Sequence, residues 1–588
     1  MPHTLTRWLP FLANTRTPFH SSDTANAPQA WHPAWLVVLV SVWLATACNV
    51  PLWREVAALP DHTGLRGLRF GLAFAVIVAA GNVALLSLLA WGRGVKPALV
   101  LVVLMAAFGA YFMLSYGIVI DASMLTNVLQ TDVREAGDLL NWRLAATVLA
   151  LAVPPLWWLL QRPVRPLGAL RHVAHNGLLL LGAVVVLVAS LLLVFQDFAS
   201  TMRNHTQLRY LINPLNSVYA LGHIATKPLR IDTSTMLPLG RDAQLGASYA
   251  GQTKPPLLVL VLGETARSAN FGLNGYARPT TPLLSARSDL VSATNAWSCG
   301  TSTAASLPCM FSHLGRDGFE GRKTNSETLL DVLQHAGLAV LWVDNQSGCK
   351  GVCDRVAQTS TTALKDPVLC PDGECSDPIM LKVLEERIAA LPAEQRARGT
   401  VVVLHQMGSH GPAYYKRSDA SLKRFGPECT SNALQECDQA QVVNAYDNSI
   451  VATDHFLNAT IQWLETQADK AQTAMVYVSD HGESLGEGNL YLHGLPYAIA
   501  PDVQKQVPWI TWLSPAMQSR SGVATACLQK DLAQRRITHD GYFHAVLGLL
   551  DVQSTVYQAE QDIYAPCRNT RQAPMAATTA PNTAHARS

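Results

Sequence analysis

Hydrophobic positions are concentrated in the part of the chain before about residue 197. Five runs there are long and apolar enough to cross a lipid bilayer, which takes about 20 such residues in a helix. They lie at approximately 34–53, 68–91, 97–120, 144–161 and 175–195. We therefore predict a transmembrane domain of five helices at 34–197, preceded by a disordered cytoplasmic N-terminus at 1–33.

The charges in the loops between these runs predict the orientation. Cytoplasmic loops carry an excess of Lys and Arg, and such residues cluster in the second and fourth loops: Arg93, Lys96, Arg162, Arg165 and Arg171. An odd number of spans then places everything after residue 196 on the outer side. We therefore predict a multi-pass membrane protein whose second half lies outside the cytoplasm.

The second half of the chain alternates between strand and helix patterns. Continuous apolar strands are predicted at Leu257–Leu262, Ala339–Val343, Thr400–His405 and Ala474–Ser479, with helices at 326–336, 378–391 and 440–467. Runs of this kind are typical of buried parallel strands. We predict an α/β domain with a mostly parallel sheet at 255–567. A bridging segment at 198–254, with a helix at about 205–224, precedes it, and a disordered tail at 568–588 follows.

Polar side chains follow each of the four apolar strands. They are Glu264, Asp344 with Asn345, His405, and Asp480 with His481. One such residue is more often a helix cap, but four at the carboxyl ends of parallel strands indicate a site. Glu264, Asp480 and His481 are suitable ligands for Zn²⁺. His410 and His493 lie in glycine-flanked loops just after the third and fourth strands and are further candidates.

Charge and cysteine content narrow the class of protein. A formal net charge of +2 gives no indication of nucleic-acid binding. Ten of the eleven cysteines lie in the soluble part, as expected for disulfides in an oxidising compartment. Proximity predicts the pairs Cys299–Cys309, Cys349–Cys353, Cys370–Cys375 and Cys429–Cys437, which leaves Cys527–Cys567. Zinc binding by such pairs is the alternative, but their spacing is irregular and no histidine is interleaved.

The segment Ser298–Ser312 brackets small hydroxylated residues between two cysteines. Thr303 there is either a helix cap or a nucleophile. A threonine hydroxyl is inert at neutral pH, but coordination to zinc stabilises the alkoxide. One reaction open to such a nucleophile is phosphoryl transfer, which needs mainly positioning and positive charge. Backbone N–H groups at the start of the helix would bind the phosphate that is transferred.

The third loop, Tyr116–Asp138, contains polar residues at a spacing of four. Asn127, Thr131 and Glu135 would lie on one helical face at the outer membrane surface. This face is either a solvated side of an amphipathic helix or a binding site for a lipid headgroup.

The motifs VLGETAR, CGTSTAASLPCMFS, DNQSGCKGVCDR, GSHGP, YDNSI and SDHGESLGE occur in this order. They resemble those of the lipid A phosphoethanolamine transferases, including the mobile colistin-resistance enzymes, within the alkaline phosphatase superfamily. The resemblance covers roughly residues 30–565. The SDHGE string also occurs in related sulfatases, whereas CGTST with PCMFS after five spans is specific to the family.

The resemblance implies roles for particular residues. Glu264, Thr303, Asp480 and His481 would bind one tightly held Zn²⁺, with a second ion left open, and Thr303 rather than Thr301 would be the nucleophile. His410 and His493 would assist phosphate binding, leaving-group protonation or a second zinc. The residues implied in substrate binding are Asn127, Thr131, Glu135, Gln346 and Lys350.

The implied function is transfer of phosphoethanolamine from phosphatidylethanolamine to a phosphate of lipid A, through a phosphoethanolamine–threonine intermediate. This would lower the negative surface charge and give resistance to polymyxins. The implied location is a bacterial inner membrane, with the catalytic domain in the periplasm. We expect a monomer that binds membrane lipid and no nucleic acid. The alternatives are a core-sugar acceptor (Kdo or heptose), a membrane-tethered phosphodiesterase, and a non-catalytic sensor of zinc or lipid.

Overall fold

The computed structural model describes residues 30–569 apart from 61–62, 132, 228–230 and 372. The predicted disordered segments at 1–33 and 568–588 therefore lie almost wholly outside the described residues.

The first half of the described chain is helical. Its helices are α1 Pro33–Thr46, α2 Val50–Ala57, α3 Gly64–Leu89, α4 Val95–Tyr116, α5 Ala122–Gln130, α6 Val133–Asp138, α7 Trp142–Gln161, α8 Ala169–Leu193, α9 Phe195–Asn204 and α10 Leu215–Ala225. Within the described part, five stretches are long and apolar enough to cross a membrane: Pro33–Ala57, Gly64–Leu89, Gly92–Tyr116, Trp142–Gln161 and Ala169–Leu193. The prediction of five membrane helices is confirmed.

The third membrane helix ends at Tyr116 and not near residue 120 as predicted. Gly117 follows it in the left-handed conformation, with φ of 70°, a common way for a helix to stop. A side chain here would also approach the backbone oxygen of Asn489, in the soluble half, to 3.0 Å. Helix α4 therefore stops where the chain meets the second half.

The third loop does not form the single helical face that the spacing of four predicted. Helix α5 ends at Gln130, Thr131 is extended with ψ of 135°, and α6 starts only at Val133. The Thr131 hydroxyl donates to the carbonyl of Asn127 at 2.8 Å, and this local bond competes with continued helix. Asn127 and Glu135 consequently belong to different helices.

The bridging segment also differs from the prediction of one helix at 205–224. Helix α9 ends at Asn204, a short 3₁₀ turn covers Thr206–Leu211, and α10 begins after Pro214. Proline lacks the N–H that a continuous helix requires. The Asn213 side chain donates to carbonyls of Cys48 and Ala106 at 3.0 and 2.7 Å, so this segment packs against the membrane helices.

The second half contains the predicted α/β fold. Its strands are β1 Asp232–Leu237, β2 Gln244–Leu245, β3 Pro256–Gly263, β4 Leu290–Trp297, β5 Thr324–Ser326, β6 Ala339–Asp344, β7 Ala357–Ser360, β8 Thr400–His405, β9 Gln472–Ser479, β10 Ser484–Glu487, β11 Leu490–Leu492, β12 Gln506–Leu513, β13 Ile537–Thr538 and β14 Val552–Gln553. Eight of them form one sheet in the order β13-β4-β12-β9-β3-β8-β6-β7. From β9 to β7 every pairing is parallel, and β12 is antiparallel to both neighbours. The fold-class prediction is confirmed.

Helices cover both faces of this sheet. They are Pro282–Ser285, Thr303–Met310, Gly315–Gly321, Leu329–His335, Ile379–Ala389, Ala393–Arg398, Gln439–Thr466, Pro515–Ser521, Thr525–Leu532 and Tyr542–Leu549. Along β3, Leu258 and Leu260 face one core, while Val259 and Val261 face the other. Burial on both faces explains why the central strands are continuous apolar runs.

Five disulfides join cysteines of the soluble half. The pairs are Cys299–Cys309, Cys349–Cys353, Cys370–Cys375, Cys429–Cys437 and Cys527–Cys567. Four of them are the pairs predicted from proximity, and Cys527–Cys567 is the pair that this prediction left over. Cys48 is a free, buried thiol in the membrane half.

Polar contacts join the two halves. The Asp138 carboxylate at the end of α6 accepts from Lys416 at 2.6 Å and lies 3.5 Å from Arg417. Glu436 accepts from Trp142 and Arg143 at 3.2 and 2.8 Å. The loop between α4 and α7 is thereby held against the soluble domain.

Candidate active site and metal centre

The parallel pairing of β3 with β9 brings three candidate ligands together. Gly263 is paired with Ser479 at the ends of these strands, so Glu264 and the dipeptide Asp480–His481 emerge at the same edge. One ligand atom from each of the three lies within 4.8 Å of the others. All three side chains are almost completely buried.

Thr303 completes this cluster. It is the first residue of the helix Thr303–Met310, and its hydroxyl donates to Glu264 Oε2 at 3.0 Å and lies 3.5 Å from His481 Nε2. The Thr301 hydroxyl donates instead to the carbonyl of Leu495 at 2.6 Å. Of the two threonines, Thr303 is therefore the one whose oxygen faces the carboxylates.

The donor set fits a divalent cation. Asp480 Oδ2 is buried and makes no hydrogen bond of good geometry to any described residue. His481 Nδ1 lies 2.9 Å from the carbonyl of Gly482, which assigns the ring proton to Nδ1 and directs the Nε2 lone pair at the carboxylates. Nε2 is 3.5 Å from Glu264 and 3.4 Å from Asp480. Two carboxylates, an imidazole and an alcohol converge, as in a metal site with an open position.

The pKa values of the three clustered side chains also indicate that a positive charge is favoured between the two carboxylates. Burial by itself would raise the pKa of Glu264, but the hydrogen bond and charge of His481 hold that pKa well below its usual range. Burial and the neighbouring Glu264 raise the pKa of Asp480 to about 6. Against its own burial, the charges of Asp480 and Glu264 raise the pKa of His481 to about 10. A proton on His481 thus supplies the charge that a metal would otherwise bring.

Two other predicted residues lie beside the cluster. Gln346 is buried and donates to Glu264 Oε2 at 3.1 Å, so it contacts a candidate ligand as well as the space for a substrate. Lys350 donates to Ser347 Oγ at 2.9 Å and to the Gln130 carbonyl at 3.2 Å. Because Gln130 ends α5, Lys350 connects the site to the membrane half.

The two predicted histidines meet on the other side of the cluster. The His493 ring is 4.2 Å from the ring of His481 and 6.0 Å from that of His410. His493 Nδ1 lies 3.1 Å from Glu483 Oε2, and burial raises the pKa of Glu483 to about 8. Our sequence reasoning missed Glu483, although it is the second acidic residue of the SDHGE motif.

The polar residues that end β6 and β8, Asp344 and His405, contact each other. His405 Nδ1 lies 3.1 Å from Asp344 Oδ2, and Trp342 donates to the same oxygen at 2.8 Å. Both residues are buried, and neither is among the residues that line the cavity at the site.

A cavity of about 510 Å³ joins the cluster to the membrane half. At one end it is lined by Thr303, His410 and His493, and elsewhere by apolar residues of α4, α5 and α7 such as Phe108, Leu125 and Leu144. Four of the predicted substrate-binding residues line it: Asn127, Thr131, Gln346 and Lys350. The side chain of Glu135 lies outside the described part of the chain.

Fold and site together define a class: a membrane-anchored enzyme with a metal-binding domain of the sulfatase and alkaline phosphatase type. The sequence model described as Sulfatase matches residues 256–552, and the one described as Phosphoethanolamine transferase EptA/EptB matches residues 78–229.

Particular relatives narrow the assignment. Phosphoethanolamine transferase EptA of Escherichia coli K12 is 38% identical over 541 residues, covering 91% of this chain and 97% of that one. Phosphatidylethanolamine transferase Mcr-1 of Escherichia coli is 35% identical, covering 88% and 95%. The structure of the integral membrane EptA of Neisseria meningitidis is similar with a TM-score of 0.86 at 35% identity, covering 91% and 98%. The chain belongs to the phosphoethanolamine transferase family.

Proposed function

We propose that this protein transfers phosphoethanolamine from phosphatidylethanolamine to a phosphate of lipid A, on the periplasmic side of the inner membrane. The observation that carries the proposal is the cavity that connects the Thr303 hydroxyl with the membrane helices. A phosphodiester at Thr303 would have its acyl chains against the apolar side chains of α4, α5 and α7. A water-soluble substrate would need no such wall.

The proposed first half-reaction transfers the group to the enzyme. The Thr303 hydroxyl, which donates to Glu264 in the resting site, loses its proton to water, and the ionised Oγ attacks phosphorus. The bond from phosphorus to the diacylglycerol oxygen breaks, and that oxygen takes a proton from His493. Because Glu483 contacts Nδ1 of His493, the other ring nitrogen is oriented for this proton transfer.

The proposed second half-reaction reverses these roles. A phosphate oxygen of lipid A attacks the phosphorus of phosphoethanolamine–Thr303, and the bond to Thr303 Oγ breaks. His493 takes back a proton from the attacking phosphate, and the threonine oxygen leaves in the ionised state in which it attacked. The product carries a cationic amine where the surface was anionic. Reduced attraction of cationic peptides such as polymyxins follows from this change of charge.

The metal proposed for the site is Zn²⁺, held by Glu264, Asp480, His481 and Thr303. When bound, it would favour the ionised Thr303 oxygen and offset charge on a phosphoryl oxygen. Lys350 and His410 contribute further positive or proton-donating groups around the phosphate, and Asn127 and Thr131 contact the headgroup. Other roles, including a second zinc at His410 and His493 and binding by Glu135, remain predictions, as does the monomeric state.

Mass spectrometry of lipid A and of the released core tests this function. We expect cells that express the protein to carry phosphoethanolamine on lipid A and cells that express Thr303→Ala to lack it, with Thr301→Ala as the matched control. An adduct only on Kdo or heptose would support the core-sugar acceptor. Diacylglycerol release without any adduct would support a phosphodiesterase, and a phenotype independent of Thr303 would support a sensor.

A further inference from the structure

A second cavity, of about 700 Å³, lies beside the first and has a different lining. It is bounded by α5 and α10 at the membrane, by the helix Thr303–Met310, and by the segments 319–328 and 350–355. Its lining includes several groups that can bond to sugar hydroxyls, such as Thr126, Asn325 and Ser326.

The two cavities share one wall. Gln130 and Lys350 line both of them, and the hydrogen bond between Lys350 Nζ and the Gln130 carbonyl closes that wall at 3.2 Å. Thr303 lines the first cavity, whereas Ala304 and Ala305 line the second. A molecule in the second cavity therefore lies against the turn of helix that carries the nucleophile.

Three cations in the lining of the second cavity have no carboxylate partner among the described residues. Some lining charges are paired: Glu320 with Arg316 at 3.0 Å, Glu327 with Arg241 at 2.6 Å, and Arg355 with Asp331 at 2.7 Å. In contrast, Arg322, Lys323 and Lys350 form no ion pair with a carboxylate in the described part of the chain. Asp354 is the remaining acid in the lining.

Arg322 is held in place for binding. Its guanidinium lies 3.6 Å from the centre of the Phe319 ring, Nε donates to Asn325 at 3.1 Å, and Nη1 donates to the Phe319 carbonyl at 2.6 Å. Half-burial of this group lowers its pKa, because removing water from a cation has a free-energy cost. An anion bound at Arg322 would compensate for the lost hydration. The planar guanidinium can donate two parallel hydrogen bonds to phosphate oxygens.

We propose that this second cavity binds the acceptor, a phosphorylated amphiphilic sugar, with Arg322 and Lys323 as its anion-binding residues. The inference rests on the proposed function, since it locates the substrate of the second half-reaction. The acceptor reaches phosphoethanolamine–Thr303 past Lys350, from the side opposite to the apolar wall that holds the donor. A phosphate oxygen then forms the bond to phosphorus as the bond to Thr303 Oγ breaks.

The test separates the two half-reactions of the full chain in lipid nanodiscs. Diacylglycerol release in a single turnover reports the first, and phosphoethanolamine transfer to added lipid A reports the second. For Arg322→Gln/Lys323→Gln we expect an acceptor KM at least about tenfold higher, because hydrogen bonds to charged groups contribute roughly tenfold or more each. The rate of diacylglycerol release in a single turnover should stay within about twofold of wild type, which is a smaller change than the loss of one such hydrogen bond would cause.

The matched control is Lys470→Gln/Lys530→Gln, which removes two exposed cations outside both cavities. The inference is overturned if the Arg322/Lys323 variant has the acceptor KM of this control. It is also overturned if single-turnover release falls as much as transfer does, since the loss is then general.

Competition distinguishes a sugar phosphate from phosphate alone. An acyl-free phosphorylated glucosamine disaccharide should inhibit transfer by the wild type and inhibit the variant at least about tenfold less well. Equal inhibition by inorganic phosphate would overturn the assignment to a sugar. A wild type that forms phosphoethanolamine–Thr303 but never modifies lipid A would disprove the proposed function itself, whereas normal lipid A transfer by the variant disproves the cavity assignment only.

Discussion

The substitution Asp480→Asn separates the role of the metal from that of the fold. Asp480 Oδ1 accepts from the backbone N–H groups of Thr265 and His481 at 3.1 and 2.8 Å, and asparagine can keep both bonds. The buried Oδ2 faces the other candidate ligands and is the atom whose charge a cation would neutralise. We expect the variant to fold and to lose its response to zinc.

The same substitution should stabilise the protein when the metal is removed. In the folded protein the pKa of Asp480 is about 6, against an unperturbed value of 3.8. A folded-state pKa above the unfolded value means that ionised Asp480 destabilises the fold, increasingly as pH rises from 3.8 to 6. The difference of about two units corresponds to about 3 kcal/mol at pH 8, and at pH values below 3.8 it disappears.

Thermal unfolding of the full chain in detergent measures both effects. With excess chelator at pH 8, Asp480→Asn should melt a few degrees above wild type, since about 3 kcal/mol shifts the Tm of a domain of about 300 residues by roughly 4–5 °C. Adding Zn²⁺ should raise the Tm of wild type and leave that of the variant unchanged. Asp469→Asn, at an exposed acid, is the control. A chelated variant that melts below chelated wild type would refute the electrostatic reasoning, and a zinc response equal to that of wild type would refute Asp480 as a ligand.

Three further perturbations test other parts of the structure. Asp138→Asn removes a carboxylate that contacts two cations of the soluble domain, so KM for phosphatidylethanolamine should rise several-fold while hydrolysis of a short soluble phosphodiester is unchanged. Asp344→Asn leaves buried His405 without its anion. Because the pKa of Asp344 is lowered to about 2 from 3.8, denaturant unfolding at pH 7 should show a loss of about 2 kcal/mol, and this loss should vanish as pH falls through about 2. Mild reduction of Cys299–Cys309 should lower turnover before it alters the circular dichroism spectrum, and an unaffected reduced enzyme would contradict a role for this loop in positioning.

The sequence pattern predicted the central strands and overlooked others for a physical reason. Strands β3, β6, β8 and β9 are buried on both faces and so appear as continuous apolar runs. Strand β12 contains Pro508. Because proline cannot donate a hydrogen bond to a neighbouring strand, its presence argues against a strand in the middle of a sheet. In the structure its pairing with β4 shifts in register between Val507 and Trp509, so an irregularity at the proline lets β12 lie inside the sheet.

The candidate site was predictable only as far as strand ends define it. Glu264, Asp480 and His481 were found because parallel neighbours end at the same edge. The same rule selected Asp344 and His405, which instead neutralise each other in the interior. Which strand-end residues face the substrate depends on side-chain direction and strand order, and a single sequence contains neither.

The membrane half lines the cavity at the candidate site and is therefore not only an anchor in the proposed mechanism. In the proposed mechanism Thr303 holds the transferred group between two half-reactions, so donor and acceptor never need to occupy the site together. The two lipids still have to be distinguished, because each carries a phosphate and acyl chains. Two cavities would make this distinction. The donor would bind in the cavity lined by apolar helix residues on one side of Lys350, and the acceptor would bind in the cation-lined cavity on the other side. Both walls depend on α5, which explains why contacts such as Lys350 with Gln130 connect the catalytic domain to the third loop.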